Sequence, residues 1–238
     1  MSGDEEPKAE LVLVATPIGN LGDLSPRAVE VLSRSDLWIV EDSRVSGKLA
    51  SHLGLKKPMR IVNDHTSPEQ IQRILDEVAD GKSAALLTDG GTPVVSDPGA
   101  ILADQCYRRG ISVDGVPGPS APTLALSLSG FFGQRYAFLG FLGRKPGDIR
   151  KELAPFNGSP LTLVLFESPH RIDTLLATAH EALGERRYAV CREMTKSFQQ
   201  IYRNSLPTLP TAQELPRKGE LTVVLEGLRR KPADDSRE

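Results

Sequence analysis

Four apolar runs, at residues 11–15, 37–40, 84–87 and 111–116, constrain this chain more than any other feature. They read as continuous apolar stretches, not as the alternation of a half-exposed strand, so each is expected to be a strand covered on both faces. Strands of that kind belong to parallel sheets joined by helices. Amphipathic stretches with clear starts lie between the runs. Ser25-Pro26 and Ser67-Pro68 each place a capping oxygen ahead of a proline at the first helical position, and Gln70 completes a capping box with Ser67. Strand and helix in alternation predict an α/β domain over residues 11–119 built on a doubly wound, mainly parallel sheet.

The rhythm changes after Pro119. A helix over residues 121–128 leads through Gly130-Phe131-Phe132-Gly133 to strands at 136–141, 161–166, 188–191 and 221–225. Helix-length connections fall at 148–153 and at 169–183, the second started by Ser168-Pro169, while three prolines within 205–216 rule out one good helix there. Residues 120–228 therefore read as a second α/β domain with a mixed sheet, Gly130 to Gln134 forming the hinge. Residues 1–10 are expected to be a disordered tail and 229–238 a charged one.

Lys and Arg number 29 against 31 Asp and Glu, and this net charge of −2 argues against a general nucleic-acid coat. Local basic patches remain open at Arg144-Lys145, Arg150-Lys151, Arg186-Arg187 and Arg229-Arg230-Lys231. No apolar run approaches the roughly 20 residues of a membrane span, and the acidic start is unlike a signal peptide, so a cytoplasmic protein with no membrane partner is expected. Cys106 and Cys191 read as buried free thiols. His52, His65, His170 and His180 form no ligand pattern, and no metal is expected.

Three glycine- and proline-bearing turns follow the strands. They are Thr16-Pro17-Ile18-Gly19-Asn20-Leu21-Gly22-Asp23, the long Asp89-Gly90-Gly91-Thr92-Pro93-Val94-Val95-Ser96-Asp97-Pro98-Gly99, and Pro117-Gly118-Pro119-Ser120-Ala121. Ligands of open parallel sheets bind outside the carboxyl ends of the strands, so three such turns imply one binding region. No Gly-x-x-x-x-Gly-Lys-Ser/Thr is present, and Gly19-x-x-Gly22 is a fragment of the dinucleotide fingerprint. Rigid main chain without a basic cradle suits an uncharged nucleoside carrying a small polar tail.

These turns, together with Glu41-Asp42-Ser43-Arg44, Gly140-Phe141-Leu142, Glu167-Ser168-Pro169-His170-Arg171 and Arg192-Glu193-Met194-Thr195-Lys196, resemble the tetrapyrrole-methylase superfamily. The wording and order are similar to its small-subunit ribosomal RNA methyltransferase branch, over residues 11–227. The resemblance implies two α/β domains with S-adenosylmethionine in the cleft between them, a homodimer, and methylation of the ribose 2′-oxygen of a cytidine in 16S rRNA or the small ribosomal subunit. Carried over by position, Pro17, Gly91, Thr92, Pro93, Val95, Asp97, Ser120 and Ala121 would line the cofactor site, with Phe166 and Thr195 from the second domain.

A ribose hydroxyl attacks only as its proton leaves, so a base or a cation facing the developing alkoxide is expected. The candidates are Lys145, Arg171, Glu193 and Lys196, with Lys145 and Arg171 suited to phosphate contact. The acids of Glu41-Asp42 read as a capping network ahead of a direct substrate contact, and Asp64-His65 as a surface loop ahead of a catalytic pair. Ser43, Gly90, Gly143 and Gln199-Gln200 depart from the family pattern, and Gly143 in place of proline is expected to loosen its loop. The chain stops soon after Leu225-Glu226-Gly227, short of a segment that many members carry, which is expected to alter RNA affinity or target choice. Two rival readings are a small-molecule methylase acting on a tetrapyrrole-like ring and a non-catalytic RNA- or nucleotide-binding relative.

Overall fold

A computed structural model describes residues 11–97 and 99–228, so both tails, Arg229-Arg230-Lys231 and Pro98 lie outside the described residues. The chain divides into two compact units, Met1–Ser120 and Ala121–Glu238.

The first unit carries β1 (Leu11–Val14), α1 (Pro26–Arg34), β2 (Leu37–Val40), α2 (Ser43–His52), β3 (Met59–Ile61), α3 (Pro68–Ala79), β4 (Ala84–Leu86), α4 (Ala100–Arg108) and β5 (Val113–Val116). Its five strands are all parallel, in the order β3-β2-β4-β1-β5. Alternate residues serve opposite layers, as the pleat dictates. Leu11, Leu37, Ile39, Ala84 and Leu86 pack with Ile71, Leu75 and Val78 of α3 and Leu102 and Cys106 of α4. Val12, Val14, Trp38, Val40, Ala85 and Leu87 pack with Ala28 and Leu32 of α1 and Leu49 and Ala50 of α2.

Both expected caps form. Ser25 accepts from Ala28 N, and Ser67 and Gln70 close a full capping box at the start of α3. One expectation needs correcting. β5 is an edge strand whose Asp114 and Gly115 are exposed, so it is not covered on both faces.

The second unit carries α5 (Ala121–Ser129), β6 (Tyr136–Phe141), α6 (Pro146–Leu153), β7 (Thr162–Glu167), α7 (Ile172–Leu183), β8 (Arg187–Arg192), β9 (Gln200–Ser205) and β10 (Leu221–Leu225). The sheet is mixed, in the order β6-β7-β10-β8-β9, with only β6 and β7 parallel. Helices α6 and α7 cover one face through Ile149, Leu153, Ile172, Leu175 and Leu176 against Leu163, Leu165, Tyr188, Val190 and Val223. Helix α5 packs on β7, β8 and β10, where the Cys191 thiol lies 3.7 Å from the carbonyl of Ala125 and burial pushes its pKa up to about 12. Cys106 and Cys191 are both buried, and neither is in a disulfide.

Helix α7 starts three residues later than its Ser-Pro signal predicts. Ser168 N donates to the Glu167 carboxylate and Arg171 N to the Ser168 carbonyl, so Pro169 and His170 sit in a turn. Gly130 to Gln134, read as a hinge, lies inside the second unit, where Arg187 and Arg203 stand over the Phe131 ring at 5.1 and 5.0 Å. Among the described residues no helix is long and apolar enough to cross a membrane, and no group of three or more His, Cys, Asp or Glu is placed to hold a metal ion.

Candidate active site

Strands β4, β1 and β5 are adjacent and parallel, so the turns that leave their carboxyl ends emerge along one edge. Main-chain bonds tie those turns together. Thr16 N donates to Gly91 O and Gly91 N to Thr16 O, each at 2.9 Å, an isolated antiparallel bridge between the first turn and the long one. Thr92 Oγ1 donates to Pro119 O at 3.1 Å and joins the long turn to the third. Thr16 Oγ1 adds a bond to Thr88 O at 3.2 Å. Pro17, Gly91, Thr92 and Pro119 are thereby brought together, with Pro93 next to Thr92 and Ser120 and Ala121 next to Pro119.

Glycine is required here for two separate reasons. A Cβ on Gly118 would stand 3.0 Å from that of Ala15, and Gly91 holds φ at +103°, a region that side chains disfavour. Beyond them the long turn stays unusual, for Val94 and Ser96 adopt left-handed φ values of 74° and 62° without being glycine. Such conformations cost of order 1–3 kcal/mol each and cluster at ligand sites. Val95 between them is exposed.

The turn ends in a group of acids. Burial first, then the nearby Glu41 and Asp89, raise Asp97 to about 6 against a hydrogen bond from the Thr88 side chain. Burial also raises Glu41 and Asp89 above the usual carboxylate range, with Asp89 adding to the shift of Glu41 and Asp42 to that of Asp89. These carboxylates come from the ends of β2 and β4, which are neighbours in the sheet but about fifty residues apart in the chain. The sequence pointed to Asp97, and for Glu41 it favoured a cap slightly over contact with substrate. Asp42 is the cap: it accepts from Arg44 N at 2.8 Å, and the Arg44 guanidinium holds it down at about 2. His65 is exposed in a loop, its backbone N–H bound to Asn63.

In the second unit the segment after β8 turns sharply, with φ of 49° at Glu193 and 65° at Thr195. Glu193 Oε1 accepts from Glu220 N at 2.9 Å and from Lys196 Nζ at 3.1 Å, and Lys196 reaches Glu220 Oε2 at 2.8 Å. The Glu220 backbone N–H and Lys196 hold Glu193 below the usual carboxylate range. Burial opposes the charge on Lys196, yet Glu220 and Glu193 together raise its pKa, so it is a cation at neutral pH. Thr195 Oγ1 is buried without a hydrogen-bond partner among the described residues, while Thr195 N donates to Gln199 Oε1 at 2.7 Å. Arg192 binds no acid of this group, giving its guanidinium to the carbonyls of Lys218 and Phe198.

Arg171 is anchored as well. Its Nη2 donates to Gly143 O at 2.7 Å and Leu142 O at 3.2 Å and lies 3.2 Å from Glu167 Oε2, whose side chain is 1% exposed. The 142–145 loop is further pinned by Gly143 N donating to Glu152 Oε1 at 2.9 Å. A proline has no N–H to make that bond, so glycine at 143 fastens this loop rather than loosening it, contrary to expectation. Lys145, the residue before α6, makes no side-chain cap and is exposed. Phe166 is half-buried between two rings, Phe138 at 5.0 Å and Phe141 at 5.4 Å.

Of the basic pairs, Arg186 is buried among the carbonyls of Leu183, Phe156 and Glu226, Arg187 is paired with Glu226, and Arg150 with Glu181. Arg144 and Lys145 remain exposed, and no carboxylate among the described residues pairs with them.

Comparison with known proteins runs along the same lines. The family described as Tetrapyrrole (Corrin/Porphyrin) Methylases matches residues 10–210. The chain is 41% identical over 221 residues to the ribosomal RNA small subunit methyltransferase I of Xylella fastidiosa, spanning 91% of this chain and 81% of that protein. To the protein of the same name from Thermotoga maritima it is 40% identical over 219 residues, spanning 92% and 98%. Among solved structures, the uroporphyrin-III C-methyltransferase of Thermus thermophilus, complexed with S-adenosyl homocysteine, superposes with a TM-score of 0.63 at 19% identity, covering 90% of this chain and 96% of that one.

Proposed function

The chain belongs to the tetrapyrrole (corrin/porphyrin) methylase family, and on that footing we propose that it transfers a methyl group from S-adenosylmethionine to 16S rRNA of the small ribosomal subunit, at the ribose 2′-oxygen of a cytidine. The observation that carries the reading is the convergence of three stiff turns, stitched by the Thr16–Gly91 bridge and the Thr92–Pro119 bond, at one edge of the parallel sheet.

The residues present fit the cofactor. Glycine at 90 and 91 lets the turns close on one another without side chains between them, and the carboxylates of Asp97, Glu41 and Asp89 suit a cationic ligand. When bound, S-adenosylmethionine supplies a methyl group carried on a sulfonium cation. Pro17, Gly91, Thr92, Pro93, Val95, Ser120 and Ala121 hold it in this reading and Asp97 faces its positive charge, while Phe166 and Thr195 of the second unit are candidates that rest on the resemblance alone.

Lys196, fixed by Glu193 and Glu220, provides the positive charge against which the ribose oxygen loses its proton. Its raised pKa suits that role and not that of a base. Lys145 contacts phosphate, and Arg171 positions the loop that carries Lys145. A second copy of the chain is the expected partner, and sedimentation at micromolar concentration checks it.

The test is transfer of a labelled methyl group to small ribosomal subunits from a strain lacking the corresponding modification, followed by digestion to nucleosides and mass spectrometry. The expected product is 2′-O-methylcytidine. A base-methylated nucleoside would overturn the ribose assignment, and labelling of a tetrapyrrole with none of the RNA would overturn the substrate class.

A further inference from the structure

Phe138 and Phe141 lie three residues apart on β6, an odd spacing that places two side chains on opposite faces of a regular strand. Ala137 and Leu139 do face the core under α6 and α7, and a regular strand would send Phe141 after them. A bulge intervenes. Phe138 pairs with Val164 and Phe141 with Phe166, so three steps on β6 match two on β7, and Gly140 takes up the extra residue at φ +62°. Bulges re-aim side chains. Here the result is that Phe141 joins Phe138 and Phe166 on the other face, seated against Phe166 at 5.4 Å while 63% of its own surface is exposed.

The loop after Phe141 is equally fixed. Leu142 is buried, Arg171 grips the carbonyls of Leu142 and Gly143, and Gly143 N is bonded to Glu152. A Cβ at 143 would come within 2.5 Å of the Asp148 side chain, so the loop lies hard against α6. This clamp presents Arg144 and Lys145 to solvent three and four residues after the exposed ring, and neither forms an ion pair with a carboxylate among the described residues. A supported aromatic face followed by two unpaired cations matches a nucleotide unit, base on ring and phosphate on cation.

We propose that Phe141 is a stacking platform for an unpaired base of the RNA substrate, with Arg144 and Lys145 holding the adjoining phosphates. The inference rests on the reading of the substrate as RNA and adds where the strand lies and which face of a nucleotide is gripped.

The test uses the full chain, labelled S-adenosylmethionine and small ribosomal subunits that lack the modification. Phe141→Ala and Phe141→Leu should each raise KM for the subunits about tenfold, within the range that loss of one base–aromatic stack produces. Phe141→Tyr should stay within about twofold of wild type, because the π face survives. The leucine variant keeps apolar volume, so its failure cannot be attributed to collapse of the neighbouring rings. Arg144→Ala and Lys145→Ala should weaken binding in a salt-dependent way, and calorimetry should find S-adenosylmethionine affinity unaltered throughout.

Wild-type kinetics in Phe141→Leu would overturn the proposal. So would a parallel loss of S-adenosylmethionine affinity, which would place the ring against the cofactor, or a changed sedimentation coefficient, which would place it against a second copy of the chain. If the wild-type protein methylates subunits and Phe141→Leu is normal, only this inference falls. If the wild type methylates no RNA, both readings fall together.

Discussion

The two units present functional groups by different physical means. In the first, the candidate site is built mostly on main chain: glycine and proline shape the turns, and backbone hydrogen bonds between Thr16 and Gly91 hold them in register. In the second it is made of side chains, with Lys196 held between Glu193 and Glu220 and Arg171 between Glu167 and two carbonyls. Main-chain sites need few residue types and tolerate little added volume. Side-chain networks depend on every charge being matched, because an unmatched charge that is partly buried is costly.

Predictions that probe this contrast begin with Lys196. Lys196→Ala should lower kcat on the order of 100-fold while S-adenosylmethionine affinity stays within about twofold, and Lys196→Arg should recover part of the rate. A loss of cofactor affinity with kcat intact would erase the division of labour between the units.

Glu167→Gln comes next. It leaves the Arg171 guanidinium without its carboxylate, and since Arg171 is about a quarter exposed the loss should be roughly 2 kcal/mol, less than for a fully buried pair. Urea unfolding measures it, and an unchanged midpoint would show that the carbonyls of Leu142 and Gly143 suffice as partners.

In the main-chain site, Gly90→Val is the sharper probe. Gly90 has no left-handed φ, and a Cβ there stands 3.2 Å from the Pro17 carbonyl, so the variant presses two turns apart without backbone strain of its own. S-adenosylmethionine should bind about tenfold more weakly, a loss near 1.4 kcal/mol, with the circular dichroism spectrum preserved. Undiminished affinity would take the cofactor away from these turns. Gly91→Val is a poorer test, because φ of +103° strains any side chain whether or not a ligand is present.

The smallest effect concerns pH. Asp97 titrates near 6 in the folded chain, so its negative charge is lost as pH falls from 7 to 5, and affinity for the cationic cofactor should fall with it. Asp97→Asn should remove the largest part of that dependence, leaving what Glu41 and Asp89 contribute. Stability moves in the opposite direction: a carboxyl whose folded pKa lies above its unfolded value favours folding at low pH, and that contribution disappears as pH rises through about 6. Glu41 and Asp89, the acids that face Asp97, also have raised pKa values and broaden the transition. A pH-independent calorimetric titration between 5 and 7 would sever Asp97 from the ligand.

Much of the first unit was legible in the chain. Continuous apolar runs fixed the four inner and edge strands, and Ser-Pro pairs located the starts of α1 and α3. Two strands were missed for a common reason. Met59–Ile61 and Gln200–Ser205 are sheet edges whose polar or short sequences carry little pattern, and pairing with β2 and β8 makes them strands. The start of α7 was misplaced because the Glu167 carboxylate captures Ser168 N, a competitor that no local propensity contains. Arg171 was read as a catalytic candidate suited to phosphate or ribose; its anchoring of the 142–145 loop, which that reading did not include, depends on residues 28 and 29 positions earlier.

The sequence by itself determined where the main chain must turn and which stretches must be buried, since glycine, proline and apolar periodicity act within a few residues. Tertiary structure alone decided which turns meet, which acids gather around Asp97, how the bulge at Gly140 aims Phe141, and which charges hold Lys196 and Arg171. Those outcomes depend on strand order and on groups distant in the chain, and hydrogen bonds and charges act through space over a few ångströms without regard to sequence separation.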